Sequence, residues 1–201
     1  MNRLIATIRG IPVYQDESTF RVFWTSGAAV DADGANGQAG KPFAYRYPDN
    51  DGRDTLYDAG WPNGSWTNVL YNDGSGHPLT DGNGNAYSKT GYTWRGVTVA
   101  QRAVDACSVA YVVVNPHVRL NARGVVMGCR AVVSHAGKSV EAVVADVSGG
   151  NDIGEISISA AEALGINPSP RTGGVDSGVE FQLYPGTAAV INGVVYLLQP
   201  A

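Results

Sequence analysis

The most regular signal along the chain is the two-residue alternation of β-structure, and it is concentrated in the second half. Val-rich segments at Gly96–Ala100, Val109–Asn115, Val125–Ser134, Ser139–Val147, Val179–Tyr184 and Val194–Leu198 are each bounded by Gly, Pro or Asn. The pair Val125–Ser134 and Ser139–Val147 is joined through HAGK, a hairpin signal. In the first half, Leu4–Ile8 alternates weakly. Phe20–Thr25 (FRVFWT) reads as an aromatic-bearing strand, and Ala28–Val30 extends that hairpin region. One segment reads as helix. Ser159-Ala160-Ala161-Glu162 forms a capping box, and Gly165 follows as a stop, giving about six residues that need tertiary packing to persist.

Between Asp31 and Arg95 the pattern changes. DADGANGQAG, YPDNDGRD, WPNGSW, YNDGSG and TDGNGNAYSKTG are successive turn signals, with Gly, Asn and Asp supplying left-handed or Asx-turn positions. Long loops without periodicity are commonly functional or disordered. The aromatic content here, Trp61, Trp66 and Trp94 with Tyr45, Tyr47, Tyr57, Tyr71, Tyr87 and Tyr92, argues for order. The expectation is therefore a mainly β chain: one domain over residues 1–201 built on a closed or partly closed barrel. One or two short helices and a folded aromatic/Asp/Gly-rich excursion at about 31–95 complete it.

Composition sharpens the picture. Charged residues are only 16% of the 201, while glycine alone contributes 26 positions, which suits structured loops better than exposed helices. The net charge is −4, and eight aspartates lie between Asp31 and Asp81 against Lys41, Arg46 and Arg53. Such a stretch repels nucleic acid and anionic lipid and favours a cationic ligand, although Asp-Gly and Asp-Asn pairs are also plain turn formers. No apolar run approaches the ~18 residues needed to span a bilayer, and MNRLIATIRGIPVYQDE lacks the apolar core of a secretion signal. Cys107 and Cys129 are the only cysteines, and one disulfide or two buried thiols both fit.

Chemistry points to carboxylates. Asp146 ends the strand-like VEAVVAD, and Glu155 follows after the loop VSGGNDIG. Glycosidic bond hydrolysis needs one acid to protonate the leaving oxygen and a second to activate water or attack carbon. Two acids flanking a glycine-bearing loop can meet that need. Glu155 also admits a bland reading, as the third helical residue of a capping box begun by Asp152, but EISIS alternates like a strand. The histidines His77, His117 and His135 sit at turns without metal-ligand spacing, and there is no nucleophile elbow, phosphate-binding loop or dinucleotide fingerprint.

The stretch VEAVVADVSGGNDIGEISISAAEALGINPSPRTGGVDSGVEFQLYPG resembles the C-terminal half of the fungal-type chitosanases, glycoside hydrolase family 75. DADGA at Asp31–Ala35 and YRYPDNDGRDTLYDAGWPNG look like segments of the same enzymes, so the resemblance covers most of residues 20–185 and is loosest between Trp61 and Trp94. It implies that Asp146 and Glu155, in the pattern Asp-(loop)-Gly-Glu-x-Ser, are the essential acids of an inverting endo-acting enzyme. Its substrate would be the β-1,4 links of chitosan. It also implies a secreted protein, which the N-terminus does not mark. More distantly, ISISAAEALG is similar to the helix start of double-psi β-barrels such as expansins and family 45 endoglucanases. That likeness implies a six-stranded barrel, and it keeps a non-catalytic polysaccharide-binding module and a hydrolase of another β-linked glycan as alternatives. A structural or tail-associated domain is a third.

On the chitosanase reading Glu155 is the general acid, from its higher reference pKa, and Asp146 the base, unless the surrounding valines raise Asp146 instead. Asp31 and Asp33 would pair with substrate amines, and Trp61, Trp66, Tyr45 and Tyr47 would stack on sugar rings. Asp31 and Asp33 also fit an Asx-turn. Their spacing is that of a calcium loop, but Pro42 stands at the twelfth position, and no metal or cofactor is assigned. The expected partner is a cationic polysaccharide, with no nucleic acid or membrane, bound by a monomer.

Overall fold

The strand alternation foreseen along the chain closes on itself. The computed structural model describes residues 1–36, 56, 59–80 and 86–200. Its strands are β1 (Asn2–Ile8), β2 (Ile11–Asp16), β3 (Val22–Asp31), β4 (Tyr111–Val114), β5 (Cys129–His135), β6 (Lys138–Val147), β7 (Glu155–Ser157), β8 (Val175–Ile191) and β9 (Val194–Tyr196). The helices are α1 (Pro116–Asn121) and α2 (Ile158–Leu164). Strands run in the order β1-β2-β3-β7-β4-β6-β5-β8-β9, and a further pairing of β3 with β8 closes a mixed six-stranded barrel from β3 round to β8. Closure leaves none of those six strands with an open ladder along its whole length. β3–β7 and β4–β6 are parallel, and the other pairings are antiparallel.

Period-two burial explains the closure. Along β3, Val22, Trp24, Ser26, Ala28 and Val30 are buried while the residues between them are more exposed. They meet Val112, Val133, Val144, Ile156, Val179, Phe181 and Leu183 from the facing strands. Trp24 stacks on Phe181 with ring centroids 4.7 Å apart. Three hairpins turn through two residues of positive φ, Arg9-Gly10, Ala136-Gly137 and Asn192-Gly193, the geometry that matches strand twist.

Several expectations are corrected. Residues 96–100 do not form a strand: a 3-10 turn at Val99–Gln101 is held by a reciprocal capping box between Thr98 and Gln101. Helix α2 is capped by Ser157, whose Oγ accepts the Ala160 N–H, not by Ser159; Gly165 closes it in the left-handed conformation as expected. Ser157 wins because its hydroxyl also accepts the Tyr111 N–H and donates to the Val109 carbonyl, tying the helix start to β4. Cys107 and Cys129 are both buried and are not joined by a disulfide. Cys129 Sγ instead lies 3.6 Å from the Gly124 carbonyl, to which it donates.

In the described part of the excursion, bridges Leu70↔Ser88, Asn72↔Pro78 and Thr80↔Ala86 build a small irregular hairpin. Trp66, Leu70 and Ala86 form a hydrophobic cluster separate from the barrel core, with Leu56, Ala59, Trp61 and Val69 packed on it. No helix among the described residues is long and apolar enough to cross a membrane.

Candidate active site

Strand register brings the two acids of the sequence motif onto one face. Val113 on β4 is paired on one side with Asp146 of β6 and on the other with Glu155 of β7, which in turn faces Ala29 of β3. Residues directly opposite one another share a face of the sheet. Two strand spacings put the Cα atoms of Asp146 and Glu155 roughly 9–10 Å apart. The neighbouring positions Val30, Val112, Val144 and Ile156 are buried in the barrel interior, so the acids lie on its outer side.

A bulge makes this arrangement. Val112 pairs with Val144, but Val113 pairs with Asp146, so Ala145 is an extra residue on β6. The extra residue turns Asp146, which would otherwise follow Val144 inward, onto the face of Glu155. The return of the excursion pins the bulge: the Ala145 carbonyl accepts the Tyr92 N–H at 2.7 Å, and Asp146 Oδ1 accepts the Gly91 N–H at 2.9 Å. The Val147 N–H donates to the same oxygen at 2.7 Å.

Glu155 is set by the residue before it. Gly154 has φ +80, and a Cβ there would fall 2.2 Å from the Gly27 carbonyl oxygen. Its own carbonyl accepts the Ala29 N–H at 2.8 Å, which fixes the start of β7 against β3. Only glycine meets both requirements. The loop between the two acids is held from below by Asn115, nearly fully buried. Its Nδ2 donates to the carbonyls of Gly149, Gly150 and Asp152, while its Oδ1 caps α1 through the His117 N–H.

A trough of about 670 Å³ opens here, lined by Asp31, Asp33, Asp146, Asp152 and Glu155 with Arg9, Val69, Val113 and the loop residues 147–149 and 153–154 among others. Asp31 is only 4% exposed. Its Oδ1 accepts the Asp33 N–H at 2.8 Å in an Asx-turn, and its Oδ2 accepts the Tyr111 hydroxyl at 2.9 Å. One carboxylate oxygen from each of Asp31, Asp33 and Asp146 lies within 4.8 Å of the others. Burial and the negative charge of Asp31, with a smaller contribution from Glu155, push the Asp146 carboxyl well above the usual range, against the pull of the two backbone N–H donors. Burial, and after it the negative charges of Asp31, Asp146 and Asp33, drive the Tyr111 phenol far upward. Where the sequence assigned no metal, three carboxylates at this spacing also form an all-oxygen donor set of the kind hard cations take.

Asp31, Asp33, Asp146 and Glu155, singled out from sequence, thus share one trough. Asp31 lines the trough with little exposed surface, and its carboxylate already accepts the Asp33 N–H and the Tyr111 hydroxyl. Trp61 and Trp66 are not in the trough. Trp66 is buried and meets Trp61 edge-on at 5.1 Å within the separate cluster, because the indoles supply the apolar area that holds the excursion together. Tyr45 and Tyr47 lie outside the described residues. Sequence reasoning missed Tyr111, Gly91, Asn115 and Arg9. Asn115-Pro116 was readable as a helix cap followed by a first-turn proline. A tyrosine within a valine run, which must find a partner for its hydroxyl when buried, was a weaker clue.

No family model matches the chain, and no curated protein matches it.

Proposed function

We propose that this protein is an inverting glycoside hydrolase that cleaves β-1,4 links between glucosamine units of chitosan. The observation that carries the reading is the placement of Asp146 and Glu155 on either side of Val113 in one open trough. Two acids on neighbouring strands to either side of one residue can hold their carboxyl groups about 6.5–9.5 Å apart, the gap that leaves room for the water of a single displacement. Asp146 is the general acid, because its surroundings keep the proton on it. Glu155 is the base that orients and deprotonates the attacking water. These roles reverse the order drawn from reference pKa values alone. The trough's carboxylates favour a polycation over a neutral glucan.

The test is release of reducing ends from highly deacetylated chitosan, with cellulose oligomers as the neutral control. Glu155→Gln and Asp146→Asn should each lower kcat by about 10²–10⁴-fold while the circular dichroism spectrum stays native. Near-normal turnover by either variant removes the assignment. The first anomer formed, followed by NMR, should be inverted, and a retained anomer would replace Glu155 as base with Glu155 as nucleophile.

A further inference from the structure

The loop that joins Asp146 and Glu155 presents a further carboxylate to the trough, and it is already paired with a cationic side chain. Asp152 is fixed by its backbone: its carbonyl accepts Asn115 Nδ2 at 2.8 Å and Ser148 Oγ at 3.0 Å, and its N–H donates to the Gly149 carbonyl. Its Oδ2 rests close over Gly149, where even a Cβ would come within 2.7 Å of it. The backbone of Asp152 is therefore fixed while its side chain stays 57% exposed, unlike that of the buried Asp31. From the far side of the trough, Arg9 at the tip of the β1–β2 hairpin reaches over. Its guanidinium lies 3.5 Å from Asp152 Oδ1, with its side chain 71% exposed. Arg9 adopts φ +49, a backbone conformation that favours Gly or Asn, so the turn itself gives no reason for arginine there. It is the one basic residue lining the trough among the described residues, facing five acids.

We propose that Asp152 is an amine-recognition residue of the substrate trough, and that Arg9 stands in for the substrate ammonium until a glucosamine unit displaces it. This rests on the reading of the trough as a chitosan-binding site. A sugar lying between Asp146 and Glu155 borders the 148–154 loop, so Asp152 meets the amine of that unit or of its neighbour. An N-acetylated unit brings an amide without charge and gains nothing from Asp152. The pair thereby sets the preference for free amines close to the cleaved bond, and Arg9 limits how tightly the amine is held. Guanidinium and ammonium compete for one carboxylate, so removing the first strengthens binding of the second.

The experiment is calorimetric titration of the full chain carrying Glu155→Gln, which binds without turnover, with glucosamine hexamer and with its fully N-acetylated counterpart. At about pH 5.5 the free amines are cationic. Adding Asp152→Asn should weaken binding of the glucosamine hexamer about tenfold and leave the N-acetylated hexamer unchanged. Adding Arg9→Gln instead should tighten the glucosamine hexamer by about threefold, and that gain should vanish when Asp152→Asn is also present. Unchanged affinity for the cationic hexamer in Asp152→Asn, or an equal loss for both hexamers, overturns the proposal. Binding that responds to Asp152→Asn as expected, in a chain whose native form releases no reducing ends, upholds this subsite and overturns the hydrolase reading. Absence of any binding by the parent overturns both.

Discussion

At the scale of single residues, the site depends on how environment overrides intrinsic acidity. The shared trough of Asp146 and Glu155 was legible in the sequence, but the raised pKa of Asp146 was not decided there. Burial acts first on the Asp146 carboxyl, and of the groups that act with it the Asp31 carboxylate and the Gly91 N–H come from distant parts of the chain. Reference values place aspartate below glutamate; burial beside another carboxylate lifts Asp146 well above its own reference value. A consequence for stability follows. The folded-state pKa of Asp146 lies above its unfolded value, so the folded protein binds its proton more tightly. The associated stability is fully present below the unfolded value of about 3.9 and is lost as pH rises through the folded one. The groups facing Asp146, namely Asp31, Asp33, Glu155, Tyr71 and Tyr111, are acids or phenols, and none of them can neutralise its charge. Asp146→Asn keeps the shape and removes the ionisation. Its Tm should therefore rise relative to the native chain as pH is taken from about 4 to about 8, by a few degrees for each 1–2 kcal/mol regained. Thermal melts of both proteins across that range check it, and a Tm difference that does not change with pH would contradict the burial argument.

At the scale of elements, what the sequence disclosed was strand identity, and what it concealed was register. Alternation and the HAGK turn place β5 and β6, because a two-residue turn fixes the register of its own hairpin. Nothing local reveals that Ala145 bulges, since a bulge is defined against the partner strand β4, about thirty residues earlier in the chain. The helix α1 was overlooked because its start, Asn115-Pro116, closes a valine run that reads as strand, and its six residues carry no periodicity. Gly154 shows the opposite case: a residue in the Asp-loop-Gly-Glu pattern whose reason becomes physical once Gly27 is seen beside it. Its φ of +80 and the 2.2 Å approach to the Gly27 carbonyl mean that Gly154→Ala meets backbone, which has no side-chain rotamer to yield. This substitution should destabilise by about 3 kcal/mol or more and shift Glu155 relative to β3. Urea denaturation should show the loss, and activity should fall even in the fraction that remains folded. A cost below about 1 kcal/mol would mean that β7 is free to move away from β3, and that the separation of the acids is not fixed by this contact.

At the scale of the whole molecule, the barrel was legible as a class because many short valine-rich strands with glycine turns have few ways to bury their apolar faces. In the described part of the excursion the aromatics Trp61 and Trp66 do pack together. The use of those aromatics was not legible in the sequence, because stacking platforms and packing residues are written with the same side chains, and in Trp66 burial decides for packing. Charge distribution is where the whole fold bears on function. The chain carries only −4 overall, yet closure of the barrel gathers Asp31, Asp33, Asp146, Asp152 and Glu155 around one trough with Arg9 as the basic residue among its described lining. Low-dielectric walls on either side concentrate the field of the ionised carboxylates, which on the proposed reading attracts a polycation. Screening acts on this attraction over about 10 Å at 0.1 M salt and about 3 Å at 1 M, so distant subsites lose their pull before the contacts at the reacting bond do. Raising sodium chloride from about 0.05 M to about 0.5 M should therefore raise KM for fully deacetylated chitosan oligomers severalfold with little change in kcat, while circular dichroism shows the fold intact. Parallel loss of kcat would mean that salt reaches the ionisation of Asp146 itself. A KM indifferent to salt would mean that the trough recognises the sugar backbone and not its amines, and a neutral β-linked glucan would then become the better substrate to assay.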